Sequence, residues 1–523
     1  VDDDLGDRLV RQGDWTRLAP SVYLAASTPP SDDQLVAICG EEHVFTGRSA
    51  LFNRARVPAP FPAHRWEDHI PQAVVMPTSA GQISEVIKLA NRHGIPVVPR
   101  AGGTGLTDGA VPLKHGILVD VKLMNKVLDI DIEDRTVTVQ PGINMLKLSQ
   151  ELRPHGYIYP DDPASYPCSL VGGRIGTSGW SLIGGRYGHT RDLVISFELV
   201  LPTGEIIHVG DGGGRKIRKS SSGYQLKHLF MGHQGTLGIV TEATLELVPR
   251  PEAEFSAFFS YPSYTDGWRA TGDFARSGLA TLAGVVLFDE RKIAYLRRDD
   301  EAWIPSPDWV KSIVAVAMYG QKDEVRAGAK QIMRIAKANG STHAGDEISQ
   351  GDWASRHDRY ATPQHGRTRS GQVALMSWHC EDAAINYSQL PAVREKWHAI
   401  ADSLRERFDM FDDWGMFAYT NGAFRPGGDY LTEIDIGIWE LKWDDESWAA
   451  WVDAKREIGR VAIEHGGSMS ACHGSCREGE VDLVPTELGG GFDVMKKIKR
   501  VLDPNNVMNP GKYLLDQAYE EDD

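Results

Sequence analysis

The sequence predicts an α+β protein of two lobes, and three observations carry that expectation. A strand–helix–strand pattern opens at residue 73, glycine-rich stretches follow at 101–109 and 168–190, and the texture changes near residue 252. From 253 to 465 the helical patterns lengthen, and 11 of the 14 tryptophans fall there. The 523 residues divide accordingly into an N-terminal arm (1–68), a ligand-binding lobe (69–252), a cap of antiparallel strands covered by helices (253–465), and a closing segment (466–523) that returns to the first lobe.

The arm reads as irregular, with Pro-rich stretches at 28–33 and 57–64 around a short helical candidate at 33–40. Proline fixes φ and breaks helices. AVVMP (73–77) is a short apolar strand. TSAGQISEVIKLANRHG (78–94) carries a Thr/Ser cap, puts Ile83, Val86, Ile87 and Ala90 on one face, and stops at Gly94. IPVVPR (95–100) is the next strand, which predicts a parallel pair covered by that helix. A strand and turn follow at 115–127 and a strand at 135–142, then a helix over 143–156 and a hairpin at 196–210 turning on PTG. Residues 235–251 alternate as a half-buried strand does. The cap includes a helix over 323–340, and 492–514 reads as an amphipathic helix, a Pro/Asn break and a strand-like end.

Composition excludes several classes of function. With 56 basic and 72 acidic residues the formal charge is −16, the wrong sign for a broad nucleic-acid surface. No apolar run is long enough for a membrane span. Five scattered cysteines do not form a disulfide framework, and the acidic start VDDDLGDRLV is no secretory leader. These features predict a reduced, cytoplasmic setting.

The loop AGGTGLTDG (101–109) follows a strand, as a phosphate-binding turn does, because glycines let backbone N–H groups converge on an anion. It is not a Rossmann turn: no third glycine falls at the required spacing, and a strand rather than a helix comes next. The second stretch, DDPASYPCSLVGGRIGTSGWSLIGGRYGHTRDLV (161–194), is so glycine-rich that neither helix nor packed strand is expected over 172–188. A backbone laid against a planar or anionic ligand explains it.

Together with PRAGGTGL (99–106) and HLFMGHQGTLGIVTEATLELVPRP (228–251), this pattern resembles the FAD-linked oxidoreductases of the vanillyl-alcohol oxidase/p-cresol methylhydroxylase superfamily. The similarity points to the branch holding D-lactate dehydrogenase, glycolate oxidase and alkylglycerone-phosphate synthase. It is strong over 70–251 and 492–514 and faint over 253–465. The resemblance implies a PCMH-type FAD-binding domain at 69–252 under a substrate cap. It implies that Arg100, Ala101, Gly102, Gly103, Thr104, Gly105 and Leu106 wrap the FAD pyrophosphate. Pro160, Asp161, Ser165, Gly172, Gly173, Gly176, Thr177, Ser178 and Gly179 would line the isoalloxazine and diphosphate, and His189 would continue that wall. Gly235, Gly238, Ile239 and Val240 would hold the adenine-to-ribityl side, and Asn509 and Lys512 would reach the flavin edge. Thr104 stands where covalently flavinylated relatives often carry histidine, so the FAD is expected to be non-covalent, with Cys168 the alternative anchor.

On the substrate side, GGSMSACHGSC (466–476) resembles the family segment that ends in Glu-His-Gly, which makes His473 the candidate general base. A neutral imidazole takes a hydroxyl proton near neutral pH. Cys472 replaces the glutamate. In FRPGGDYLTEID (424–435), Arg425 and Thr432 stand where the metal-dependent relatives have two histidines, so no catalytic metal is expected. Cys472, His473 and Cys476 lack a fourth partner for a soft ion. Arg356 is the candidate carboxylate grip, with Arg359, Arg425 and Arg477 behind it. Trp353, Trp378, Trp414, Phe417, Tyr419, Phe424 and Tyr430 could form an aromatic wall, Tyr419 and Tyr430 being the next proton acceptors after His473. The expected reaction is oxidation of a CH–OH group, of a 2-hydroxy acid or related alcohol, by hydride transfer to flavin N5. An aromatic alcohol oxidase is the alternative, and a non-redox flavin-adduct enzyme a second. The enzyme would be an oxidase or a dehydrogenase without NAD, a protein or quinone being a candidate acceptor; the basic stretch 215–228 could face an anionic partner, and a homo-oligomer is expected.

Overall fold

The computed structural model describes residues 15–19, 22–25, 32–59, 61–299, 307–343, 353–354, 356–357, 364–368, 370–420, 429–439 and 443–519. The arm is less irregular than its prolines suggest. Trp15–Ala19 and Val22–Ala25 form a hairpin, Asp32–Cys39 is the short helix, and Val44–Phe45 joins a four-stranded sheet.

In that sheet Ala73–Val75 leads into helix Ala80–His93. The Ser79 side chain accepts from the Gln82 N–H at the start, and Gly94 closes the end at φ 63°. The predicted parallel neighbours are nevertheless not adjacent. Ile117–Asp120 lies between Ala73–Val75 and Val97–Arg100, parallel to both. All four residues of ILVD are buried, which suits the central position of a sheet covered on both faces.

A second, antiparallel sheet runs in the order Ile206–Gly214, Val194–Val200, Ile239–Glu246, Thr136–Val139, Val127–Asp131. The hairpin on PTG is its outer pair. The helix expected over 143–156 is Met145–Leu152 plus one tighter turn, ending at Gly156 with φ 76°.

The glycine-rich stretch corrects the sequence reading, because Val171–Thr177, Gly184–Tyr187 and Thr190–Leu193 are short helices. Glycine costs a helix about 1 kcal/mol relative to alanine, yet close packing needs it here. A Cβ on Gly172 would come within 2.7 Å of the Pro141 ring.

An eight-stranded antiparallel sheet follows, ordered Thr342–His343, Ala253–Tyr261, Ser312–Gly320, Leu282–Asp289, Phe411–Thr420, Asp429–Trp439, Val373–Asn386, Gln364–Arg367. Helices Tyr264–Ala275, Lys322–Ala338, Leu390–Arg407 and Asp445–Glu464 bury one large core against it.

The chain then returns to the first sheet. Helix Gly490–Leu502 ends in a turn whose Met508 bridges Val97 in parallel, in place of the strand expected there. The return is fixed by Lys499, 1% exposed. Its Nζ donates to Asp503 Oδ2 (2.5 Å), Met508 O (2.7 Å) and Thr236 O (3.1 Å). Asp503, fully buried, also accepts from the backbone N–H groups of Val507 and Met508. Lys499→Met strands that carboxylate and should lower the unfolding free energy by about 3–5 kcal/mol, measured by urea denaturation of the holoprotein.

Candidate active site

A long cleft runs between the first two sheets and the cap sheet. Its floor is lined by Arg100 to Leu106 from the first glycine loop, Gly172, Gly173, Gly176 and Thr177 from the second, Gly235 and Gly238 from the turn before strand Ile239–Glu246, and Ile239 and Val240 from that strand. Ser165 adds to one wall. No helix intervenes between Arg100 and Ile117, so the first glycine loop does not lead into a helix, whereas the second contributes through the short helix Val171–Thr177. Gly103 takes φ 64°, and a Cβ there would strike the Arg100 guanidinium at 2.2 Å. Gly105 and Gly176 instead face open space, with no atom within 4 Å of a would-be Cβ. A backbone cradle left open at its glycines fits a flat, anionic dinucleotide.

Other residues expected on that wall stand behind it. Asp161 accepts from Arg174 Nε (3.0 Å) and Nη2 (2.6 Å) and from Thr190 Oγ1 (2.7 Å), which fixes the second loop from below. Pro160, Gly179 and His189 do not line the cleft either. His189 Nδ1 accepts from the Ser181 N–H, and its ring lies 4.0 Å from that of Trp180, which does line it. Ser178 faces a second cavity. Asn509 and Lys512, each 1% exposed, do not line the cleft and brace the first loop from behind. Asn509 Nδ2 donates to Gly109 O and Gln234 O, and Lys512 Nζ donates to Asp108 O and Val111 O. Cys168 is exposed and off the cleft.

The roof of the cleft comes from the cap sheet and the 470–474 loop: Cys380, Leu431, Glu433, Cys472 and His473. Strand alternation decides which residues reach it. Leu431 and Glu433 line the cleft, whereas Thr432, between them, does not and is fully buried. Likewise Cys380 and Asp382 lie on the His473 side of their strand. His379 and Glu381 pair with each other at 2.7 Å on the opposite face.

Asp382 organises the loop. Its Oδ1 meets His473 Nδ1 at 2.7 Å, and its Oδ2 accepts from the N–H groups of Ala471 and Cys472, both at 2.6 Å. The His473 carbonyl accepts from Thr107 Oγ1 (2.6 Å) and Gln234 Nε2 (3.3 Å), tying roof to floor. Burial alone would raise the Asp382 carboxyl, but His473 and the two amides hold it below the usual carboxylate range. Burial likewise pulls His473 down, yet its acidic neighbours Cys472 and Asp382 outweigh it and raise the imidazole well above 6.5. The buried carboxylate thus makes the imidazole a stronger base than a free one.

Glu433, raised to about 7 by burial and then by Asp382 against the pull of His473, was not anticipated. Nor was Cys380, whose thiol burial pushes well above its ordinary value. Cys380, Glu433 and His473 bring one donor atom each within 4.8 Å of one another, a mixed S, O and N set able to take one small cation. Cys476, buried at 2% exposure, is not part of that set.

Arg356 corrects the expected carboxylate grip. Its Nε donates to Asp162 Oδ2 (2.9 Å), its guanidinium stacks on Trp353, and it does not line the cleft. Trp353 donates to Tyr319 Oη and packs in the cap. Arg477 is clamped by Asp108 at 2.9 Å. Tyr419 and Tyr430 are placed by backbone alone, opposite Leu431 and Ile385. Their side chains, and those of Trp378, Trp414 and Phe417, lie outside the described residues, as do Arg359, Phe424 and Arg425.

Fold and cleft define a flavoprotein oxidoreductase. Residues 71–210 match the model of the FAD binding domain, and 250–513 match that of the FAD linked oxidases, C-terminal domain. The chain belongs to the FAD-linked oxidases and is an FAD-dependent enzyme. It is 30% identical over 493 residues to glycolate oxidase subunit GlcD of Bacillus subtilis, covering 93% of this chain and 97% of the relative. It is 29% identical to D-2-hydroxyglutarate dehydrogenase of Xanthomonas citri pv. viticola, covering 86% and 90%. Among solved structures, p-cresol methylhydroxylase with substrate bound shares the fold, with TM-score 0.74 and 18% identity over 92% of this chain and 96% of that one.

His233 lines the cleft between Met231 and Gly235, 7% exposed. Burial, then Lys499, lowers it from 6.5 to about 4. The native fold thus refuses a proton that the unfolded chain accepts. The cost is absent above the unfolded value, grows as pH falls, and is complete below about 4. Between pH 7 and pH 4.5 the wild type should lose about 2–3 kcal/mol more stability than His233→Gln, measured by denaturant titration at the two pH values.

Proposed function

We propose that the enzyme oxidises the CH–OH carbon of a small 2-hydroxy acid, with His473 taking the hydroxyl proton. FAD held by the glycine floor supplies the two-electron acceptor. The observation that carries this reading is the Asp382–His473 pair on the cleft roof. With Nδ1 engaged by Asp382, the imidazole presents Nε2 to the cleft, and the carboxylate stabilises the imidazolium formed when the proton arrives. Cys380 and Leu431 close the roof against water. Names of relatives such as glycolate oxidase subunit GlcD and D-lactate dehydrogenase of Anaerostipes hadrus support the substrate class.

In this reading the chain divides at 68, 252 and 465, and the carboxylate end of the substrate meets the His473 side of the cleft rather than Arg356. The electrons leave on a protein or quinone acceptor, the enzyme works in the cytoplasm as a homo-oligomer, and turnover needs no metal.

His473→Ala should keep its FAD and slow anaerobic flavin bleaching by 2-hydroxy acids about 10²–10⁴-fold, with a smaller loss at high pH. Bleaching at the wild-type rate would reduce His473 to a packing residue. The same assay after dialysis against a chelator should be unchanged. A loss restored by Zn²⁺ would assign Cys380, Glu433 and His473 to a cation instead.

A further inference from the structure

Helix Lys322–Ala338 packs on strands Ala253–Tyr261 and Ser312–Gly320 of the cap sheet, burying Val325, Gly328, Ile332 and Ala336. Beside that buried stripe runs a row of four exposed cations, Lys322, Arg326, Lys330 and Arg334, each four residues from the next. At that spacing neighbours stand about 6 Å apart along the axis, so the row is about 18 Å long. Like charges so placed repel one another and destabilise the helix that carries them.

Nothing in the helix relieves the row. Its acidic residues, Asp323 and Glu324, are confined to the first turn. Among the described residues only Arg326 of the four has an ion pair, with Asp323 at 3.6 Å, and both side chains are exposed. In a chain of formal charge −16 this is a local reversal of sign. The basic stretch 215–228 is different, because Lys216 pairs with Asp129 and Asp131 and Arg218 with Glu246.

A shallow groove lies along the row, between the helix and the start of strand Ala253–Tyr261. Phe255, Ala329 and the 38% exposed Met333 give it an apolar bed, and Glu254 is its one carboxylate against the four cations. Methionine adapts its shape to whatever packs on it.

We propose that this groove docks an acidic amphipathic helix of a partner protein, with carboxylates at every fourth residue facing Lys322, Arg326, Lys330 and Arg334 and apolar side chains resting on Phe255, Ala329 and Met333. The unrelieved row explains the sign of the partner. The spacing explains its form: carboxylates four apart on a helix keep step with the cations, whereas alternate residues of an extended chain drift by about 2 Å over the row. The apolar bed favours a helix with an apolar stripe over the phosphates of a nucleic acid, which bring nothing to Phe255 and Met333.

The test uses the holoenzyme and a fluorescein-labelled, alanine-based helical peptide with Glu at every fourth position and Leu beside that row. Anisotropy at low salt should show saturable binding that fades at about 1 M salt, where the Debye length is about 3 Å. The double variant Lys330→Glu, Arg334→Glu should weaken it about tenfold or more, and Met333→Ser about threefold. These variants alter exposed side chains and should keep their FAD and their rate of flavin reduction. A peptide of the same composition in scrambled order should bind far more weakly. No binding, equal binding of the scrambled peptide, or binding indifferent to the charge reversals would overturn the proposal. So would tighter binding of single-stranded RNA at the same residues, or a dimer in sedimentation that the charge reversals dissociate, since these would give the groove to a nucleic acid or to a second copy of the chain.

Discussion

The site depends on one buried carboxylate. Asp382 projects from the cap sheet into a place where an unpaired charge would cost several kcal/mol. It is tolerated because the two amides at Ala471 and Cys472 and the His473 imidazole converge on it. That requirement bends the 470–474 loop over the cleft and fixes which imidazole nitrogen faces the substrate. It also places the His473 carbonyl over Thr107 and Gln234. Cap, loop and cofactor floor are thereby held in one geometry through the linked residues Asp382 and His473.

The floor poses the opposite problem. A cradle of backbone amides has few side chains to lock it, so its stiffness comes from behind. Lys512 and Asn509 hold the carbonyls of the first loop, Arg174 and Asp161 hold the second, and Lys499 with Asp503 holds the returning chain. These groups are charged or polar and almost wholly buried, which is affordable only where every strong donor meets an oxygen.

Much of this was legible in the sequence, where the information is local. Ser79 and Gly94 mark their helix because a cap and a left-handed stop are chosen by neighbouring residues. The two glycine loops show a ligand floor for the same reason. Strand order was not legible: the insertion of Ile117–Asp120 between its parallel partners is decided by burial over forty residues. The helices at 171–193 were misread because glycine propensity argues against them and only contact with Pro141 and neighbouring elements argues for them. At the site, His473 was found through its segment, but Asp382, Cys380 and Glu433 belong to no local pattern and meet only when two distant strands pair in register. Arg356 was misplaced because sequence offers no sign of Asp162 opposite it.

The central claim is that Asp382 and His473 act as one unit in removing the substrate proton, and a double-mutant cycle tests it most directly. Rates of anaerobic flavin reduction by a 2-hydroxy acid would be measured for wild type, Asp382→Asn, His473→Ala and the double variant, all with FAD bound. The account predicts that Asp382→Asn slows the wild type yet changes the His473→Ala enzyme by less than about threefold, since groups acting as a unit are not additive. Full, multiplicative losses in the double variant would contradict it and leave Asp382 as scaffolding for the loop alone.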